Sequence, residues 1–138
     1  MQALERIDPR WIVVPVRVTM GIILLVAGYQ KLTNLGGTAG FFGQVGIPAP
    51  EVMAAFIAGL ELIGGLLLIV GLGIRWLALL LVAEFLVAAF VVKLPRTGWD
   101  ASRIDVMMLA GALTLALAGA GAASVDAMLA KRRGVLAR

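Results

Sequence analysis

A chain of 138 residues that is 62% hydrophobic and only 14% charged, with a mean hydropathy of +1.03, falls well short of the ~25% charged residues of soluble domains and has the composition of one small membrane bundle. It holds neither cysteine nor histidine, which excludes disulfides, thiolate metal sites, His-ligated haem and Ser-His or Cys-His nucleophilic catalysis. The net charge of +4 comes from Lys and Arg at the ends of apolar runs, the pattern of membrane-flanking charge and not of a nucleic-acid surface.

Four apolar runs, each near the ~20 residues a bilayer requires, predict spans at about 11–32, 51–72, 75–94 and 104–123. Arg6 and Arg10 precede the first. No small-residue cleavage pattern follows, so it reads as a retained span, with Pro15 able to tilt its first turns. The stretch Thr38–Val45 is too short to cross and predicts a short interfacial helix or shallow re-entrant loop, ended by Gly46-Ile47-Pro48. Pro48 and Pro50 precede the second span, and Gly71 and Gly73 close it. Pro95 is expected to stop the third. Ser102-Arg103-Ile104-Asp105 fits a capping box opening the fourth. Ser124 is placed to cap a tail helix carrying Val125, Met128 and Leu129. Lys131, Arg132 and Arg133 follow in a basic tail, 124–138, suited to anionic lipid. The predicted fold is an all-α integral membrane four-helix bundle, one domain over 1–138.

Four spans put both termini on one side. That side carries Arg6, Arg10, Arg75, Lys131, Arg132, Arg133 and Arg138 against Lys31, Lys93, Arg96 and Arg103 opposite, which predicts cytoplasmic termini. Trp11 and Trp76 then mark the inner interface, and Tyr29 and Trp99 the outer one.

Three ionisable residues lie within the apolar runs: Arg17, Glu61 and Glu84. A charge near the bilayer centre costs roughly 2.5–3.5 kcal/mol on insertion scales, so it implies a partner or a task. Helical spacing joins ionisable to small residues on three stripes, turned inward in the simplest packing. One stripe is Arg17, Gly21, Leu24, Gly28 and Lys31; a second is Ala54, Ala58, Glu61 and Gly65; a third is Asp105, Met108, Ala112, Ala116 and Gly119. Glu84 shares its face with Leu80, Leu81, Val87 and Ala88. At ~1.5 Å per residue, Glu61 and Glu84 fall near the midplane and Arg17 within reach of either. The expectation is that the three converge as an ion pair or a proton and quinone site. Two acids against one base leave one carboxyl over. Lys31 and Lys93 read as snorkelling anchors or, with Asp105, as an outer-facing polar cluster. Asp105 itself reads first as a capping-box acid.

These motifs resemble those of the DoxX family of small four-helix membrane proteins. Gly28-Tyr29-Gln30-Lys31-Leu32 is similar to its Gly-x-x-Lys-Leu, and Gly40-Phe41 through Pro50 to its first loop. Glu61-Leu62-Ile63-Gly64-Gly65-Leu66 with Gly71 and Arg75 resembles its second helix. Glu84 stands where many members carry Glu, and Gly119-Ala120-Gly121 through Ser124-Val125-Asp126 resembles the closing motif. Lys93 replaces a His found in many members, and Asp105 a Glu, so no imidazole relay is available there.

The resemblance implies a multi-pass protein of the bacterial plasma (inner) membrane, associated with quinol oxidase or thiosulfate–quinone oxidoreductase activity. It implies a quinone as the only candidate cofactor and a larger membrane or redox complex as partner, alongside the lipid bilayer. Homo-oligomers stay open. The alternatives are a purely structural or assembly subunit and a small transporter or channel. The last lacks the broken helices and inverted repeat typical of transporters.

Overall fold

The computed structural model describes residues 8–136, all of whose regular structure is helical. A 3-10 turn, Pro9–Trp11, leads into α1 (Val13–Thr33). There follow α2 (Leu35–Gln44), α3 (Pro50–Val70) and α4 (Ile74–Leu86). A π-helical stretch, Val87–Lys93, continues α4 into α5 (Leu94–Thr97), and α6 (Trp99–Ala118) and α7 (Val125–Leu136) complete the order. Among the described residues four continuous helices are long and apolar enough to cross a membrane: Pro9–Thr33, Pro50–Val70, Ile74–Thr97 and Trp99–Ala118. These are the predicted spans, with three boundaries moved: the third ends at Thr97, and the fourth both starts and ends five residues early, at Trp99 and Ala118. Arg6 and Arg138, used in the charge tally, lie outside the described residues.

Pro95 does not stop the third span. A proline lacks the N–H that would bond the carbonyl four residues back, here that of Val91. The helix absorbs this by widening. The N–H of Leu94 reaches back five residues to the Ala89 carbonyl, and the Arg96 guanidinium supplies the missing donor to Val91 O at 3.0 Å. The same guanidinium donates to Val45 O at 2.7 Å and so ties the end of α2 to the end of the third span.

The fourth span starts five residues earlier than predicted. Gly98, with φ 77°, ends α5 and precedes α6. Ser102 is already helical, its Oγ donating back to Gly98 O at 2.8 Å. The Ser102–Asp105 capping box is therefore absent, and Asp105 is free for another bond. The short helix between the first two spans is present as α2. Its cap is Asn34, whose Oδ1 accepts from the Gly37 N–H at 3.2 Å. Gly71, with φ 76°, closes α3 as expected, its N–H bonded to Leu67 O. Ser124 caps α7 through its Oγ and the Ala127 N–H, 3.1 Å apart.

The bundle is two antiparallel pairs. α1 lies along α3, α4 along α6, and contact between α1 and α6 joins them, whereas α3 and α4 barely touch. The α1–α3 contact is made by glycine. A Cβ on Gly65 would stand 2.6 Å from Leu25 N and 2.7 Å from Gly21 O; one on Gly28 would stand 2.9 Å from Ala58 O. Lipid gives helices no hydrophobic reason to associate, so close backbone approach supplies the packing. The central core is Leu24, Leu68, Ile74, Leu81 and Leu115. Ile22, Ile63, Leu79, Met107 and Leu117 face outward, as lipid-exposed residues must.

The two ends of the bundle differ. Arg10, the Gly71–Gly73 turn and residues 119–126 meet at one, which we call the terminal end. The Ala122 N–H donates to Arg10 O and the Asp126 N–H to Gly71 O. α2 and α5 lie at the other, the loop end.

Candidate functional site

Five ionisable side chains gather in the loop-end half. Lys31, in the last turn of α1, donates from Nζ to Glu61 Oε2 of α3 at 2.5 Å. The Glu61 side chain is nearly enclosed, at 6% exposure, while Lys31 keeps 29%. Lys93, which closes the π-helical stretch, donates to Asp105 Oδ2 of α6 at 2.6 Å. A π-turn shifts the register of every side chain after it, and here it aims Lys93 at α6. Glu84 of α4 sits between these pairs. Its carboxyl neighbours that of Glu61, with Lys31 and Asp105 also nearby. Its Oε2 is buried and meets no partner. Each ammonium thus holds one carboxylate, and Glu84 is the acid left over.

The predicted convergence of Arg17 with Glu61 and Glu84 does not occur. Arg17 is 1% exposed, but it is fixed at the terminal end. Nη1 donates to Ala120 O at 2.6 Å and Nη2 to Ala123 O at 2.8 Å. Gly71, packed where a Cβ would meet Nη1 at 2.5 Å, leaves room for the guanidinium. Lys31, ~21 Å further along α1 at 1.5 Å per residue, is the base that Glu61 meets instead. Lys31 and Lys93 are therefore turned inward onto acids, not outward as snorkelling anchors.

The chain just past α6 explains why Arg17 sits where it does. Carbonyls beyond a helix C-terminus lack intrahelical donors, and a cation there also opposes the negative end of the helix dipole. Asp126 does the converse for α4. Its two carboxylate oxygens accept the N–H groups of Gly73 at 2.9 Å and Ile74 at 3.0 Å, capping α4 from a segment about fifty residues away in sequence. The sequence assigns no bonding role to Asp126 or Arg96, because their partners are backbone atoms with no side-chain signature. Lys131, Arg132 and Arg133 are exposed on α7. Among the described residues no group of three or more His, Cys, Asp and Glu is arranged to hold a metal ion.

The DoxX family model matches residues 12–94, more than half the chain. The protein belongs to the DoxX family. The matched DoxX region contains Lys31, Glu61, Glu84 and Lys93, while Asp105 and the closing segment lie beyond it. Similar DoxX-type relatives include "Putative oxidoreductase CatD" of Bacillus subtilis, 36% identical over 83% of this chain and 84% of the relative. The inner membrane protein YqjF of Escherichia coli is 30% identical over 84% of this chain and 90% of its own. An uncharacterized membrane protein of Mycobacterium tuberculosis is 31% identical over 87% and 82%. No solved structure matches the chain.

Proposed function

We propose that this DoxX protein is a subunit of a redox complex in the bacterial plasma membrane, and that Glu84, Glu61 and Lys31 form its proton-handling site at a quinone headgroup. The observation that carries this reading is the Glu84 carboxyl, buried beside Glu61 with one oxygen unbonded. An intramembrane ionisable group without a structural partner is where transfer chemistry is sought first. The oxidoreductase name carried by the Bacillus relative supports a redox role.

The donor set fits such a headgroup. Quinone carbonyls accept hydrogen bonds, and both the Lys31 ammonium and a protonated Glu84 can donate them. When bound, a quinone supplies a two-electron, two-proton couple, and the electrons come from a partner chain. The side chains here hold and pass the protons. A hydrogen bond between the Glu61 and Glu84 carboxyls requires a proton on one of them. Lys31 holds Glu61 in place as that proton is exchanged, and the Lys93–Asp105 pair lies on the side facing the loop end.

Glu84→Gln tests this. Glutamine keeps the shape and the donor but cannot exchange a proton. Quinone-linked electron transfer in membranes should fall at least ~10-fold, a loss of about 1.4 kcal/mol or more in transition-state stabilisation, while the assembled complex keeps its amount. Unchanged turnover per assembled complex would refute the proton role and leave a structural subunit.

A further inference from the structure

A second feature stands apart from the polar site. At the terminal end a cavity of about 750 Å³ opens between the 3-10 turn, the start of α4, the end of α6 and α7. Its walls include Arg10, Arg75, Gly119, Asp126 and Ala130. Among the described residues neither arginine is in a salt bridge. The one acid in the wall, Asp126, has both carboxylate oxygens engaged by the Gly73 and Ile74 N–H groups. Gly119 leaves room for Arg75, whose Nε lies 3.3 Å from the place a Cβ would take.

A groove of about 620 Å³ runs between α3 and α4, where the bundle packs least. Phe56, Gly59, Ile63, Leu67 and Leu80 line it. The cavity and the groove share Gly73 and Trp76 as walls. A basic chamber therefore adjoins an apolar trough. Trp11 and Trp76 are 52% and 79% exposed at this end, the usual height of lipid headgroups.

We propose that this paired cavity and groove bind one anionic phospholipid, its phosphate between Arg10 and Arg75 and an acyl chain in the α3–α4 groove. Guanidinium is the cation best matched to phosphate. The chamber's net positive charge, two arginines against Asp126, favours an anionic head over a zwitterionic one, and the adjoining trough favours an amphiphile over a soluble anion. Lys131, Arg132 and Arg133 on the adjacent α7 add a general attraction to an anionic surface. This site is independent of the proton-handling reading.

Native mass spectrometry of the detergent-purified protein, titrated with phosphatidylglycerol or phosphatidylcholine of identical acyl chains, tests the proposal. One phosphatidylglycerol should be retained at a concentration at least ~10-fold lower than phosphatidylcholine. Arg10→Gln/Arg75→Gln should erase that preference. Gly59→Phe, at a position where an added Cβ meets nothing within 4 Å, should fill the groove without disturbing the bundle and weaken binding several-fold. Circular dichroism and a lipid-free melt confirm that each variant is folded. Equal retention of both lipids by the unaltered protein overturns the proposal. So does a preference that survives the double Arg variant, or one lost on Lys131→Gln/Arg132→Gln/Arg133→Gln alone. Full competition by glycerol phosphate, or full binding by Gly59→Phe, would show a soluble-anion site and overturn the acyl-chain seat.

Discussion

Arg17 and Glu84 meet the same demand, that lipid admits no unsatisfied charge, in opposite ways. Arg17 keeps a buried Nε unbonded, but both its Nη groups are held by backbone carbonyls from a segment that has run out of helix, so its charge is part of the architecture. Glu84 keeps an oxygen unbonded, so its carboxyl is open to a ligand or a proton. The two should respond differently to mutation. Arg17→Lys keeps the charge, but an ammonium has no planar fork to span Ala120 O and Ala123 O. One charge-assisted hydrogen bond would be lost, worth roughly 1.5–3 kcal/mol. We expect the unfolding midpoint of the purified protein to drop accordingly, while quinone-linked turnover per folded molecule is unchanged. Lost turnover at full stability would assign Arg17 to the chemistry after all.

Between elements, the decisive contact is glycine on backbone along α1 and α3. Gly21 faces Gly65, and Gly28 faces Ala58 and Leu62. Gly65→Val should push these helices apart, because the new carbons would fall on backbone that cannot yield. Overpacking of this kind typically costs about 1–3 kcal/mol, and the loss is read from a melt of the purified protein. Gly59→Ala on the same helix meets open space and should cost nothing measurable. Equal effects would mean that the close packing of Gly65 against α1 contributes nothing to stability.

The same contact shows what the sequence could reveal. The spans, the Gly71 stop, the Ser124 cap and the inward stripes were legible, because apolar length, positive-φ glycine and helical spacing are local signals. The partner of Glu61 is not legible from depth alone, since depth counted from span edges ignores register. The signal was present: Gly21 and Gly28 are seven residues apart, as are Ala58 and Gly65. Matched antiparallel, these pairs put Arg17 level with Ile69, at the Gly71 end of α3 and away from Glu61, and leave Lys31 the nearer base to Glu61. Asp126 and Arg96 had no such signal, because a backbone N–H or carbonyl leaves no mark in composition. The capping box failed for a related reason: Gly98 could start the helix earlier, and its φ is not written in the Ser-x-x-Asp pattern.

For the molecule as a whole, the fold sorts the cations that set orientation. Positive-inside bias counts Lys and Arg in short loops and near span ends. At the loop end Lys31 and Lys93 are bonded to buried acids, Arg96 to main-chain carbonyls, and Arg103 approaches Asp100 at 3.5 Å. At the terminal end Arg10, Arg75, Lys131, Arg132 and Arg133 are exposed, and none is in a salt bridge among the described residues. Counted as Lys and Arg alone, the terminal end outweighs the loop end, and we expect it on the cytoplasmic side. The absence of cysteine makes the test clean. Gly36→Cys, at an exposed position near the start of α2 where a Cβ meets nothing, should react with a membrane-impermeant maleimide on intact spheroplasts. Ala130→Cys on α7 should react only after the membrane is opened. The reverse labelling pattern would invert the molecule, turning the Glu84 site towards the cytoplasm and the arginine chamber away from it.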